Sequence, residues 1–184
     1  MKKFIILLLL LVLFFSAVFT QENRCKSVIA IDLGWSTEGL SNEGYGFGLS
    51  FEQELFSFLS FKLRHGVVET YKNAVGNRVD SYVYSFLLSY NIFNKGLEGP
   101  SLEVGFGYDN VLASNPDTGE TKFNFLLPFI DTFVSYKFIL FERFLLEPYV
   151  EFMWALGDVE RKKTGIAMDT TYVNIIGLNL GVAF

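Results

Sequence analysis

The chain has 184 residues, of which 51% are apolar and 17% aromatic, with 21 Phe and only 19% charged, for a formal net charge of −5. That acidic balance argues against a nucleic-acid partner, which asks for a basic face. A single Cys excludes an internal disulfide framework, so the fold must be held by other means.

The first element is an export signal. Lys2 and Lys3 precede an unbroken apolar run of twelve from Phe4 to Phe15, and Ser16 and Ala17 lead into the polar Gln21-Glu22-Asn23-Arg24. A charged start and a short apolar core mark a secretory signal peptide; a membrane-spanning helix needs roughly 18 or more apolar residues. Residues 1–20 are assigned to the signal, with cleavage after Ala17 to Thr20, and residues 27–184 to one domain. The signal carries two Lys and no acid, so its loss takes the charge from −5 to −7 and leaves about 164 residues, a single-domain length. Cys25 follows Asn23-Arg24 rather than the small residues that precede a lipid-modified cysteine.

Beyond the signal the chain alternates between large and small side chains, and period two marks a strand because successive side chains point to opposite faces. The first predicted strand, Val28 to Ser36, sets Ile29, Ile31, Leu33 and Trp35 against Ala30, Asp32, Gly34 and Ser36. After a short Thr37 to Glu43 connection, Asn42 to Gln53 sets Tyr45, Phe47, Leu49 and Phe51 against Gly44, Gly46, Gly48, Ser50 and Glu52. Gln53-Glu54 is read as a turn into a third strand, Leu55 to Arg64, with Leu59, Phe61 and Leu63 opposite Ser60, Lys62 and Arg64. The fourth, Ser81 to Asn91, places Tyr82, Tyr84, Phe86, Leu88 and Tyr90 opposite Ser81, Val83, Ser85, Leu87 and Ser89. The fifth, Ser101 to Asp109, places Leu102, Val104, Phe106 and Tyr108 opposite Glu103, Gly105, Gly107 and Asp109.

Phe123 to Phe141 is the longest apolar stretch outside the signal, but it contains Asn124, Pro128, Asp131 and Lys137. Charges near the centre of a spanning helix cost roughly 2.5–3.5 kcal/mol each, whereas a sixth strand over Phe123 to Phe138 puts Ile130, Thr132, Val134, Tyr136 and Phe138 on one face. The seventh strand, Glu147 to Gly157, and the eighth, Tyr172 to Phe184, alternate in the same way.

Eight alternating strands of about nine to eleven residues or more suit a membrane-spanning barrel or a soluble barrel of the lipocalin type. The two assign the faces oppositely. A soluble barrel must dress its second face for water, yet here that face is Gly, Ser, Ala and a few charges. Turning the bulky face to lipid and the small face to a narrow lumen resolves the mismatch, and closure pairs every backbone group, as hydrocarbon demands. The predicted fold is therefore all-β: an eight-stranded antiparallel up-and-down transmembrane β-barrel. With periplasmic termini, the strand tops carry an aromatic girdle of Trp35, Tyr45, Tyr82, Tyr108, Trp154 and Tyr172. The longer connections, His65 to Asp80, Asn110 to Lys122 and Asp158 to Thr171, then all lie outside.

The C-terminal strand ends LNLGVAF, with Leu178, Leu180 and Val182 leading at every second position to Phe184. In this the chain resembles the small eight-stranded outer-membrane β-barrels of double-membraned bacteria. The resemblance implies an outer-membrane location, and that the terminal aromatic with its spacing is the signal read by the outer-membrane assembly machinery.

No catalytic, metal or cofactor site is expected. Gly44-Tyr-Gly-Phe-Gly lacks the helix and spacing of a phosphate loop, and His65, the only histidine, is read as a loop-edge residue with no nucleophile near it in sequence. The luminal charges are the stronger lead. Asp32, Glu52, Glu103, Asp109, Asp131, Glu147 and Glu151 share the inner face with only Lys62, Arg64 and Lys137. Buried charges need partners, so an ion-pair plug is expected, with Lys137 opposite Glu147 and Arg64 reaching Asp109 or Glu151. Arg161-Lys162-Lys163 is a candidate contact for lipopolysaccharide or other anionic surface groups. The function expected is structural or surface-interactive, as a monomer in outer-membrane lipid. The alternatives are a small porin-like channel for ions or apolar solutes and, behind it, a lipid-A-modifying enzyme.

Overall fold

A computed structural model describes residues 25–41, 44–70, 78–93, 95–156 and 172–184. The signal at residues 1–20 and the triplet Arg161-Lys162-Lys163 lie outside the described residues. Along the chain come β1 (Ser27–Asp32), α1 (Gly34–Ser41), β2 (Gly44–Phe56), β3 (Leu59–Thr70), β4 (Arg78–Asn91), β5 (Gly99–Ser114), β6 (Thr121–Leu140), β7 (Phe144–Ala155) and β8 (Tyr172–Ala183). Each strand pairs antiparallel with the next, and β1 closes on β8 through pairs such as Ile29 with Val182. This is the expected eight-stranded up-and-down barrel. Closure leaves the sheet without an edge, so wall residues find backbone partners on both sides.

The two mouths differ. At the terminal mouth, where β1 begins and β8 ends, Lys26 N and Ser27 N both donate to Phe184 O, at 3.0 and 2.9 Å, and tie the two strands together. Val28, Ala30, Leu97, Leu145 and Ala183 form a small apolar floor there. The opposite, far mouth carries α1 and the tip of the β5–β6 hairpin, where Gly119 N donates to Asn115 O.

The wall is inverted relative to a soluble protein. Large apolar side chains such as Ile31 (51% exposed), Phe47 (47%), Val104 (53%), Phe106 (65%), Val134 (56%) and Ile176 (76%) point outward. Several form cross-strand ladders, which is how same-face neighbours stabilise a sheet. Phe51, Phe61, Phe86 and Phe106 follow one another across β2 to β5 with ring centroids 5.9–6.3 Å apart. The small and polar face of each strand points into the lumen.

Several boundaries depart from the sequence expectation. The first strand stops at Asp32 rather than Ser36, because the chain turns inward into α1. Gln53 and Glu54 are not a turn: both are buried within β2, which runs on to Phe56 through a bulge, and the turn is at Ser57-Phe58. β3 consequently begins at Leu59 and continues to Thr70, because His65, Gly66, Val67 and Val68 prolong the alternation. His65 is thus no loop-edge residue; its ring stacks on Tyr84 at 4.5 Å and its Nδ1 lies 3.1 Å from Val83 O. The predicted loop Asn110 to Lys122 is mostly strand as well, since Val111 and Ala113 face inward and pack beside Val79.

Candidate functional site

The lumen gathers the chain's buried charge. Asp32, Glu52, Lys62, Arg64, Glu103, Asp109, Asp131, Lys137, Glu147 and Glu151 are each at most 7% exposed. Strand alternation brings them together: Ser60, Lys62 and Arg64 share one face of β3, and Asp131, Phe133, Ser135 and Lys137 one face of β6. They sort into two layers.

The layer nearer the terminal mouth is built on two ammonium groups among three carboxylates. Lys62 Nζ donates to Glu103 Oε1 and Glu147 Oε1, both at 2.9 Å, and lies 3.7 Å from Glu52. Lys137 Nζ donates to Glu52 Oε1 and to Ser89 Oγ at 3.0 Å, and sits 3.2 Å from Glu103. Lys137 is indeed near Glu147, but at 3.9 Å this is its longest ion pair. Neutral groups add further bonds, while Glu103 Oε2 is buried without a donor. Ser60 Oγ donates to Glu52, Ser135 Oγ to Glu147 at 2.8 Å, and Asn179 Nδ2 to Glu147 at 2.7 Å. One carboxylate oxygen from each of Glu52, Glu103 and Glu147 lies within 4.8 Å of the other two, a spacing that would suit a metal ion. Lys62 and Lys137 supply positive charge at that point.

The second layer, toward the far mouth, is built on one guanidinium. Arg64 grips Glu151 with two parallel bonds, Nη1 to Oε1 at 2.8 Å and Nη2 to Oε2 at 3.0 Å. This fork geometry is the strong form of an Arg–carboxylate pair. The other side of Arg64 meets Asp32, through Nε at 3.2 Å and Nη2. Asp32 also accepts from Tyr149 Oη and from Gly34 N at 3.0 Å. Asp131 lies 3.5 Å from Arg64 Nη1, and neither of its oxygens accepts a hydrogen bond. Asp109, the other partner expected for Arg64, accepts instead from Ser81 Oγ at 2.6 Å. It stands closer to the far mouth, opposite Val83 in the β4–β5 register, and Arg64 spends its donors on nearer acids.

Phe133 separates the layers, its ring centroid 4.1 Å from Arg64 Cζ and 5.9 Å from Lys62 Nζ. Both cations therefore see an aromatic ring, Arg64 the closer. Phe133 and Tyr149 fall on the inward face by simple alternation, and that period is the signal by which they were findable.

Trp35 requires a correction. It was expected in the lipid-facing girdle, but it lies on α1, is 4% exposed, and packs inside the lumen with Val68, Val83, Phe129, Phe133, Tyr149 and Ile175. The cause lies in the facing wall, where a Cβ built on Gly48 or Gly66 would come within 2.5 or 2.6 Å of the indole. Those glycines leave a notch that the indole fills. Of the other girdle residues, Tyr45, Tyr108 and Trp154 are 43%, 46% and 40% exposed on the outer wall, and Tyr82 is half-buried. Tyr172 pairs with Trp154 in the register, and its side chain lies outside the described set. In the last strand, Leu180, Val182 and Phe184 are exposed and Leu178 is half-exposed.

No protein-family model matches the chain, and no curated protein does. Among solved structures, the N-terminal β-barrel domain of Pseudomonas aeruginosa OprF matches with a TM-score of 0.54 at 13% identity, over 89% of this chain and 100% of that domain. Ail, the attachment invasion locus protein of Yersinia pestis, gives 0.47 at 13% identity over 87% of this chain and 97% of that one. Neisserial surface protein A gives 0.47 at 12% identity over 86% and 91%. The chain has the fold of the small eight-stranded outer-membrane β-barrels.

Proposed function

We propose that the protein is an integral outer-membrane barrel, closed to solutes, whose role is structural or surface-interactive through the connections at the far mouth. The observation that carries this reading is the inverted wall. Ten charged side chains are buried in the lumen, while a band of Phe, Leu, Ile, Val and Tyr faces outward from all eight strands. Monomeric soluble proteins rarely expose contiguous apolar patches beyond a few hundred Å², and lipid is the partner that covers a belt running right round a barrel.

In this reading the terminal mouth faces the periplasm and the far mouth the outside. The outward-facing Leu180, Val182 and Phe184 are where the assembly machinery would read the closing strand. A channel role is less well supported, because both layers of the lumen are filled by side chains and narrow eight-stranded barrels hold little besides their own residues. An enzymatic role has less behind it still, since His65 sits on the outer wall stacked against Tyr84.

An epitope inserted between Asn115 and Glu120, in a protein recovered from the outer-membrane fraction, tests location and orientation together. Antibody should bind it on intact cells. Binding only after permeabilisation would reverse the orientation, and recovery in the soluble fraction would remove the reading altogether.

A further inference from the structure

We propose that α1 is a seated stopper, distinct from the barrel wall, that shuts the far half of the lumen through Trp35, above a Lys62–Lys137 layer that stays shut without it. The inference deepens the closed-barrel reading above and rests on it.

The first ground is that α1 has little reason to be helical alone. It has eight residues, GWSTEGLS, including Gly34 and Gly39. Isolated helices shorter than about 12–15 residues are marginal in water, and each interior Gly weakens them further. Its shape is therefore imposed by docking. It docks through Trp35 in the Gly48/Gly66 notch, Gly34 N on Asp32 Oδ1 at 3.0 Å, Ser36 Oγ on Gly46 O at 2.7 Å, and the close approach of Gly39 to the β2 backbone at Tyr45 and Gly46. Leu40 on the same helix is 73% exposed.

The second ground is that the seat is imperfect. Trp35 Nε1 is buried and has no hydrogen-bond acceptor, and an unsatisfied buried donor weighs against the seated state. An element with one strong apolar anchor, one polar penalty and weak intrinsic helicity has a low threshold for local opening, unlike the strand wall around it.

The third ground is the layering. Ser50 and Ser85 flank Arg64 on the neighbouring strands in the register, just beneath the notch, whereas Ser101 lies in the lysine layer and bonds Ser135 at 2.6 Å. Lifting Trp35 exposes the first pair. The lysine layer, held entirely by wall residues, stays shut.

The test is thiol labelling of purified protein in detergent micelles, where both mouths meet solvent and orientation does not matter. In a Cys25→Ser background, Ser50→Cys and Ser101→Cys are each combined with Trp35→Ala and, separately, with Gly66→Ala. The three atoms nearest the added methyl of Gly66→Ala all belong to the indole, at 2.6–2.8 Å, so it displaces the stopper without removing it. Retained heat-modifiability of each variant reports an intact barrel. Both changes should speed labelling at Ser50→Cys by about tenfold or more, as expected when local opening becomes favourable, and leave Ser101→Cys protected. Unchanged labelling at Ser50→Cys in the folded Gly66→Ala protein would show that Trp35 is not the stopper. Fast labelling at Ser101→Cys would show that the lysine layer does not stay shut, which would also undo the closed-barrel reading; the former result would leave that reading standing.

Discussion

The two halves of the lumen are closed by different means. Near the terminal mouth, Lys62 and Lys137 bind three carboxylates, and every group comes from a strand. Toward the far mouth, Arg64 binds Asp32 and Glu151 from the wall, but the space above them is taken by a side chain from a connection, Trp35 on α1. The first closure is part of the barrel and cannot open without breaking the wall. The second is laid on top. A single-layer lumen would give every inward substitution the same character, whereas two layers separate what holds the barrel from what covers it.

The largest effect should come from Arg64→Ala. It strands Asp32 and Glu151 in a buried site, and breaking a buried ion pair from one side typically costs about 3–5 kcal/mol. The check is the urea midpoint of the folded band in lipid vesicles; an unchanged midpoint would mean that water, not Arg64, balances these acids. Lys62→Met should fall toward the lower end of that range, because Lys137 stays within 3.2 Å of Glu103 and within 3.9 Å of Glu147. A larger loss than for Arg64→Ala would reverse the ranking of the layers.

Trp35→Ala should cost less than the ~3–5 kcal/mol usual for a buried Trp, because it also removes the unpartnered Nε1. The midpoint in the same assay checks it, and a loss as large as that for Arg64→Ala would make α1 part of the structural core. At the small end, Asp131→Asn should leave stability unchanged or raise it by up to about 1 kcal/mol, since it removes one of three acids facing a single guanidinium. A clear loss would mean that Asp131 is balanced by a partner other than Arg64. Assembly gives a separate reading: Phe184→Asp places a charge on the outward face of the closing strand, and the yield of folded protein in the outer membrane should drop. Wild-type yield would remove any special role for that terminal aromatic.

The wall of the barrel was legible in the sequence because period two is a local signal that needs no partner. Phe61, Lys62, Leu63 and Arg64 declare their faces by position alone, and so do all ten luminal charges. What the period does not give is where a strand stops. Trp35 continues the alternation of Ile29, Ile31 and Leu33, yet the chain leaves the wall after Asp32, and the cause lies elsewhere, in Gly48 and Gly66 on two other strands. The bulge near Glu54 is similar, since Gln53 turns inward to accept from Ser27 Oγ at 2.7 Å and to donate to Lys26 O at 3.0 Å. Partner choice was also out of reach. Arg64 could face any acid across the lumen, and the barrel's stagger, not its sequence period, set Asp32 and Glu151 within reach and Asp109 beyond it.

The most direct test of the central claim, a barrel closed by its own side chains, is the planar-bilayer conductance of the purified wild-type protein beside Arg64→Ala. The account predicts a flat trace for the wild type under either polarity, with steps, if any, confined to the variant. Regular single-channel steps from the wild type would contradict it and make the lumen a conducting path.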